Sequence, residues 1–244
     1  MTYCVAMSID KGLVFMSDTR TNAGIDNISS FRKMHTWSVP GERVITVMTA
    51  GNLATTQAVV SVLDERTKAP SDRHPSLIET PSMFQAARHV GETLRDVVSE
   101  YKGGGQNQSD RTFNATMIVG GQIKGGKPRL FLVYPEGNFI EASSDTPFFQ
   151  IGETKYGKPI LVRAYDPTMN FEDAVKLMLV SFNSTLKANL SVGLPFDLQI
   201  YEKDSFKAGP DARIQESDPY YQEISDSWGD ALSNALQSLP NFKL

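Results

Sequence analysis

The order of apolar runs along the chain predicts an α+β fold in which helices cover stacked antiparallel sheets. Three observations carry this. Short apolar runs of strand length return across tight turns, amphipathic helical stretches come grouped between the strand runs, and no βα alternation of a parallel sheet can be traced. The 244 residues, 40% hydrophobic and 21% charged, suffice for one large domain with a real core. With no internal repeat and no convincing linker, residues 1–244 are read as one domain with 206–244 as a C-terminal extension.

Residues 2–9 read as a strand, Asp10-Lys11-Gly12 as a tight turn, and Leu13–Met16 as the returning strand. The first strand is apolar on both faces at Cys4, Val5, Ala6 and Met7, which predicts a central place between layers. Val44–Met48 is a further strand. A helix over 52–66 presents Ala54, Ala58, Val59, Val62 and Leu63, and a second over 82–101 presents Phe84, Ala87, Val90, Leu94, Val97 and Val98 at helical spacing. The glycine-rich stretch Gly103–Asn107 reads as a loop, and without a following Gly-Lys-Ser/Thr it is no phosphate cradle. Phe113–Val119 and Arg129–Tyr134 are strands, with turns at 124–127 and 135–137. Asn170 is positioned to cap a third helix whose first turn carries Glu172 and Asp173, the sign the helix dipole favours there. Its apolar side is Phe171, Ala174, Val175, Met178, Leu179 and Phe182. Phe196–Tyr201 alternates as a late strand, and a terminal helix is expected from about Ile224 to Leu236.

Composition narrows the function classes. A net charge of −4 and a pI near 5.5 give no electrostatic case for nucleic acid. No apolar stretch approaches a membrane span and the start lacks the pattern of a signal peptide, so a cytoplasmic protein is expected. Cys4 is the only cysteine, which leaves no intrachain disulfide and no cysteine-based zinc site. His35, His74 and His89 show no metal-ligand spacing. There is no G-x-S-x-G elbow and no P-loop. No cofactor or metal is expected.

The chemistry begins at Thr2. Threonine is small enough for an aminopeptidase to clear Met1, which places a free α-amine and a hydroxyl on one residue. A hydroxyl is a weak nucleophile without an adjacent base, and the amine can be that base. Its reference pKa of about 7.7–8.0 leaves a useful neutral fraction at physiological pH. A lysine nearby favours the deprotonated hydroxyl and amine, because like charge disfavours a second ammonium. Lys33 is the candidate, with Arg32 beside it as the competing cation, and Asp18 could orient it. A backbone N–H at Gly51, between a strand and a helix, could stabilise an oxyanion. Singly, these are an ordinary start-codon neighbour, a turn residue, a surface charge and a turn glycine. Only together do they describe a site.

At Thr2, Asp18-Thr19-Arg20, Lys33 and Ala50-Gly51 the chain resembles proteasome β subunits and HslV, members of the N-terminal nucleophile hydrolases, over roughly residues 2–204. Thr-Asn-Ala-Gly after Arg20, together with Ala50-Gly51-Asn52-Leu53-Ala54-Thr55-Thr56-Gln57, is most similar to the bacterial Anbu branch. The resemblance implies a four-layer αββα sandwich, Thr2 as nucleophile and base, Asp18 and Lys33 as supporting ion pair, and Gly51 as oxyanion donor. It also implies Thr21 and Asn22 on a substrate-binding edge and Thr49 and Leu53 near a side-chain pocket. Where the family has Gly-Ser-Gly this chain has Gly152-Glu153-Thr154, so Glu153 takes the serine's place. Ser191 matches the serine of a late Asp-x-x-Ser-Gly element whose aspartate position holds Ala188, with Asn189 next to it. The implied function is a threonine-type peptidase acting on peptides or unfolded protein inside a homo-oligomer, a ring or an open helical assembly. A weakly active or non-catalytic scaffold, and a small-molecule amidase, are the alternatives.

Overall fold

The computed structural model describes residues 2–22, 28–68, 76–103 and 113–243. Met1, His74 and residues 104–107 of the glycine-rich loop lie outside the described residues, as does the side chain of Asn22.

Two five-stranded antiparallel sheets form the centre. One has the order β10 (Phe148–Gly152), β1 (Tyr3–Ile9), β2 (Gly12–Asp18), β11 (Phe196–Glu202), β12 (Asp211–Ile214). The other has β5 (Met34–Val39), β6 (Arg43–Gly51), β7 (Ala115–Ile123), β8 (Arg129–Val133), β9 (Phe139–Glu141). A separate ribbon of β3 (Arg20–Asn22) and β4 (Ile28–Ser30) stands between them in the chain. Helices α1 (Leu53–Lys68) and α2 (Met83–Gly103) follow β6; α3 (Lys158–Ala164) and α4 (Phe171–Ala188) follow β10, and α5 (Pro219–Gln237) ends the chain.

The period-two alternation of side chains explains the layering. Along β1, Cys4 and Ala6 join Leu13 and Phe15 of β2 in a core with Val44, Met48, Ile118 and Leu130 from the other sheet. The alternate residues Tyr3, Val5, Met7, Val14 and Met16 pack the opposite way, against Leu161, Met178 and Phe182 of α3 and α4. A third core joins Ile45, Val47, Met117 and Val119 to Val59, Leu63, Val90 and Leu94 of α1 and α2. Three cores separate four layers, helices outside and sheets within: the αββα sandwich. β1 is apolar on both faces because both faces are buried.

Several details differ from the sequence reading. On α1 the buried residues are Thr55, Thr56, Val59 and Leu63, whereas Ala54 is exposed. Thr55 turns inward because its Oγ1 donates to the Phe113 carbonyl at 2.9 Å. Phe84 of α2 is 44% exposed and packs edge-on to Phe139. The strand expected at 113–119 runs from Ala115 to Ile123. Helix α5 starts five residues before Ile224, because Asp218 caps it through the Tyr221 N–H and Pro219 occupies its first turn. β5, β9, β10, β12 and the short α3 carry no strong pattern and emerge only from their partners. Asn170 does cap α4, accepting from the Asp173 N–H at 2.7 Å.

Candidate active site

Thr2 immediately precedes β1, the second strand of its sheet, and is buried. Its carbonyl is clasped from the neighbouring strand: the Glu153 N–H donates to Thr2 O at 2.6 Å, just past the Tyr3–Gly152 register pair. The approach demands glycine. Gly152 has φ +83°, and a Cβ there would lie 1.9 Å from the Thr2 carbonyl oxygen.

Asp18 ends β2 and is completely buried. It accepts from the Tyr3 N–H at 2.9 Å, from Lys33 Nζ at 2.7 Å and from the Gly193 N–H at 3.4 Å. Burial pushes its carboxyl above the ordinary range, while the Lys33 ammonium and the two backbone N–H groups pull it back. Lys33 is 4% exposed and also donates to the Arg20 carbonyl at 2.6 Å. Lys33 rather than Arg32 therefore faces Asp18, whereas Arg32 is exposed. The backbone of Lys33 is tied to β6 by the Thr49 N–H, which donates to Lys33 O at 2.8 Å.

Gly51 closes β6 at φ +119°, the left-handed side of φ that glycine tolerates. A Cβ there would meet the Asn114 carbonyl at 2.5 Å and Ala115 Cα at 2.7 Å. Asn52 then accepts from the Thr55 N–H at 3.0 Å as the cap that turns the chain into α1.

These elements surround a cleft of about 820 Å³. Thr2, Lys33 and Gly51 line it, and so do Thr21, Thr49 and Leu53. Asn22 is described only by its backbone, which pairs with Ile28 in the β3–β4 ribbon. Glu153 and Ser191 do not line the cleft. The Glu153 carboxylate accepts from Asn189 Nδ2 at 3.0 Å, and Ser191 donates from both Oγ and N–H to Asn189 Oδ1 at 2.6 and 3.0 Å. Asn189 thus joins the two residues at the positions where the family motifs carry serines. Sequence reasoning did not assign wall positions to Arg32, His35, Gln57, Val60 and Ser61. The last three follow from Leu53 by helical spacing, since residues four, seven and eight positions on share its side of α1. Burial lowers the His35 imidazole below the usual histidine range.

Chemically, the cleft presents a residue with a side-chain hydroxyl, an ammonium held by a buried carboxylate, and the glycine that ends a strand. Among the described residues no His/Cys/Asp/Glu group could hold a metal ion, and no helix is long and apolar enough to cross a membrane.

Comparison with known proteins gives a consistent picture. The family model described as proteasome subunit matches residues 2–198. The proteasome subunit beta of Methanopyrus kandleri is 24% identical over 196 residues, 79% of this chain and 82% of that protein. Among solved structures, Anbu (ancestral beta-subunit) from Yersinia bercovieri is 48% identical with a TM-score of 0.93, covering 100% of both chains. The Anbu complex from Pseudomonas aeruginosa, solved as a helical assembly, is 45% identical with a TM-score of 0.91 over 99% of this chain and 98% of that one.

Proposed function

This chain belongs to the proteasome subunit family, and we propose that it is a threonine-type peptidase whose nucleophile is Thr2. The observation that carries the reading is the gathering of Thr2, Lys33 and Gly51 on one cleft wall, with Asp18 buried in contact with Lys33. After removal of Met1, the Thr2 amine takes the proton of its own hydroxyl as the oxygen attacks the scissile carbonyl. The new C–O bond drives the carbonyl electron pair onto oxygen, where the Gly51 N–H stabilises it. Collapse breaks the C–N bond, and the proton held by the Thr2 amine goes to the departing amine. Water, deprotonated by the same amine, then attacks the ester, releases the acid and restores the Thr2 hydroxyl. Lys33 acts by charge: fixed by Asp18, it favours the deprotonated hydroxyl and amine.

Thr21 and Asn22, on the β3–β4 ribbon, are read as the edge along which an extended peptide lies, with Thr49, near the end of β6, and Leu53 at its side-chain pocket. Glu153 and Ser191, bound to Asn189, are read as support for the Thr2 backbone clasp. Their engagement away from the cleft favours a second reading, an enzyme of slow turnover.

Subunits are proposed to assemble with copies of themselves. The solved helical assembly of the Pseudomonas aeruginosa relative supports this. So does α5, whose final two turns and following residues expose Leu232, Leu236, Leu239 and Phe242.

An N-terminal-threonine-directed electrophile tests the catalytic reading. One adduct per chain, mapping to Thr2 and lost in Thr2→Ala, is expected. An unmodified chain under conditions that label an active proteasome would sink it.

A further inference from the structure

The cleft beside Thr2 does not end there. A second cavity, of about 710 Å³, shares four wall residues with it: Arg32, His35, Val60 and Ser61. It extends from β5 toward β11 and β12, where Asp197 and Arg213 stand.

Charge is unevenly placed across these two adjoining cavities. Among the described residues the first cavity has two charged wall residues, Arg32 and Lys33, and no acid. Lys33 is matched by Asp18 at 2.7 Å. In the second cavity Arg213 grips Asp197 through Nε at 2.7 Å and Nη2 at 2.9 Å, and Asp64 is paired with Lys68, while Asp211, at the far end beside Arg213, forms no ion pair with any described residue. Arg32 forms no ion pair with any described residue. Among the described residues it is the one unmatched charge on the wall beside Thr2, and it lines both cavities. Its neighbours Phe31 and Lys33 also line the cleft, so the whole 31–33 segment faces it.

We propose that Arg32 is a specificity-determining residue that takes a substrate carboxylate at this junction, so that the site favours an acidic peptide residue over its neutral isostere. The proposal rests on the reading of this cleft as the substrate site. A guanidinium presents paired N–H donors to a carboxylate in one plane, a geometry an amide cannot match with equal strength. Because Arg32 is exposed in the free chain, the gain is that of a partly solvated pair. That corresponds to a preference of about 1.5- to fivefold.

The test compares two fluorescein-labelled tripeptide amides, Leu-Ala-Glu and Leu-Ala-Gln, by fluorescence polarisation on the full-length protein. The native chain is expected to bind the glutamate probe about 1.5- to fivefold tighter, with the ratio shrinking as salt is raised because an exposed pair is screened. Arg32→Gln should bring the ratio to about one, and Arg32→Lys should retain part of it. Equal binding of the two probes, no binding of either, or an unchanged ratio in Arg32→Gln would each overturn the proposal. Covalent labelling of Thr2 is scored on the same protein. Labelling without a glutamate preference defeats the role of Arg32 alone. An Arg32-dependent preference without labelling defeats the peptidase reading alone.

Discussion

Asp18 accepts from three donors, and each enters the consequence of changing it or its partners. Lys33→Ala would leave a fully buried carboxylate unpaired, a loss of about 3–5 kcal/mol by analogy with broken buried pairs. It should also lose most of the Thr2 labelling. Asp18→Asn leaves the buried Lys33 ammonium without its counter-charge and should also cost about 3–5 kcal/mol, but it should lose less of the labelling because the amide oxygen can still hold Lys33. Urea unfolding beside labelling rates checks both, and Thr2→Ala, which should keep native stability while losing the label, separates chemistry from folding. His35 makes a pH prediction. Its native pKa is lowered by burial, so the unfolded chain takes up the proton first as pH falls through about 6.5. Its contribution to stability is therefore fully present above that pH and lost as pH falls toward the depressed native value. His35→Gln should show a smaller drop in urea midpoint between about pH 7.5 and 5.5; an equal drop would assign the acid sensitivity elsewhere.

At the level of elements, the site depends on strands meeting more closely than side chains allow. Gly152→Ala would drive a methyl into the Thr2 carbonyl, and Gly51→Ala would drive one into Asn114 and Ala115. Both residues also hold positive φ, so each change should cost at least about 1–3 kcal/mol from strain alone. Each should slow Thr2 labelling, whereas Asn170→Ala, which removes the α4 cap, should cost about 0.5–2 kcal/mol with labelling unchanged. Thermal melts and label kinetics on the three variants decide this. The elements most legible in the sequence are those buried on both faces or strongly one-sided. β1 and β2 are continuous apolar runs, and α2 and α4 repeat at helical spacing. β12 was not legible because, as Asp-Ala-Arg-Ile at a sheet edge, only Ile214 is buried. On α1 the expected Val59 and Leu63 are buried and Ala58 packs against the core, but Ala54 is exposed, and Thr55 is buried instead through a hydrogen bond that periodicity does not see. Among the site residues, Thr2, Asp18, Lys33 and Gly51 were legible through chemistry and motif. The link from Glu153 through Asn189 to Ser191 was not, since it joins loops 36 residues apart in sequence.

On the scale of the whole molecule, the end of α5 leaves its own sandwich. Tyr221 is buried, but Leu232, Leu236, Leu239 and Phe242 are 51–86% exposed. Exposed apolar side chains recurring along one segment are the kind of surface that makes protein contacts, which supports the proposed self-assembly. Leu236→Asp is expected to shift the protein from a large species toward the 26.9 kDa chain in light scattering at micromolar concentration. Its effect on the isolated fold should stay within about 0.5 kcal/mol; an unchanged assembly would remove α5 from the contact. The claim beneath all of these is that Thr2 becomes the first residue and acts through its own amine. A retained Met1 would turn that amine into an amide, which cannot accept the hydroxyl proton. The most direct test is the intact mass of protein from its native host before and after the threonine-directed electrophile. A chain lacking Met1 that gains one adduct at Thr2 is expected; a chain that keeps its methionine or gains no adduct would rule out Thr2 as the nucleophile.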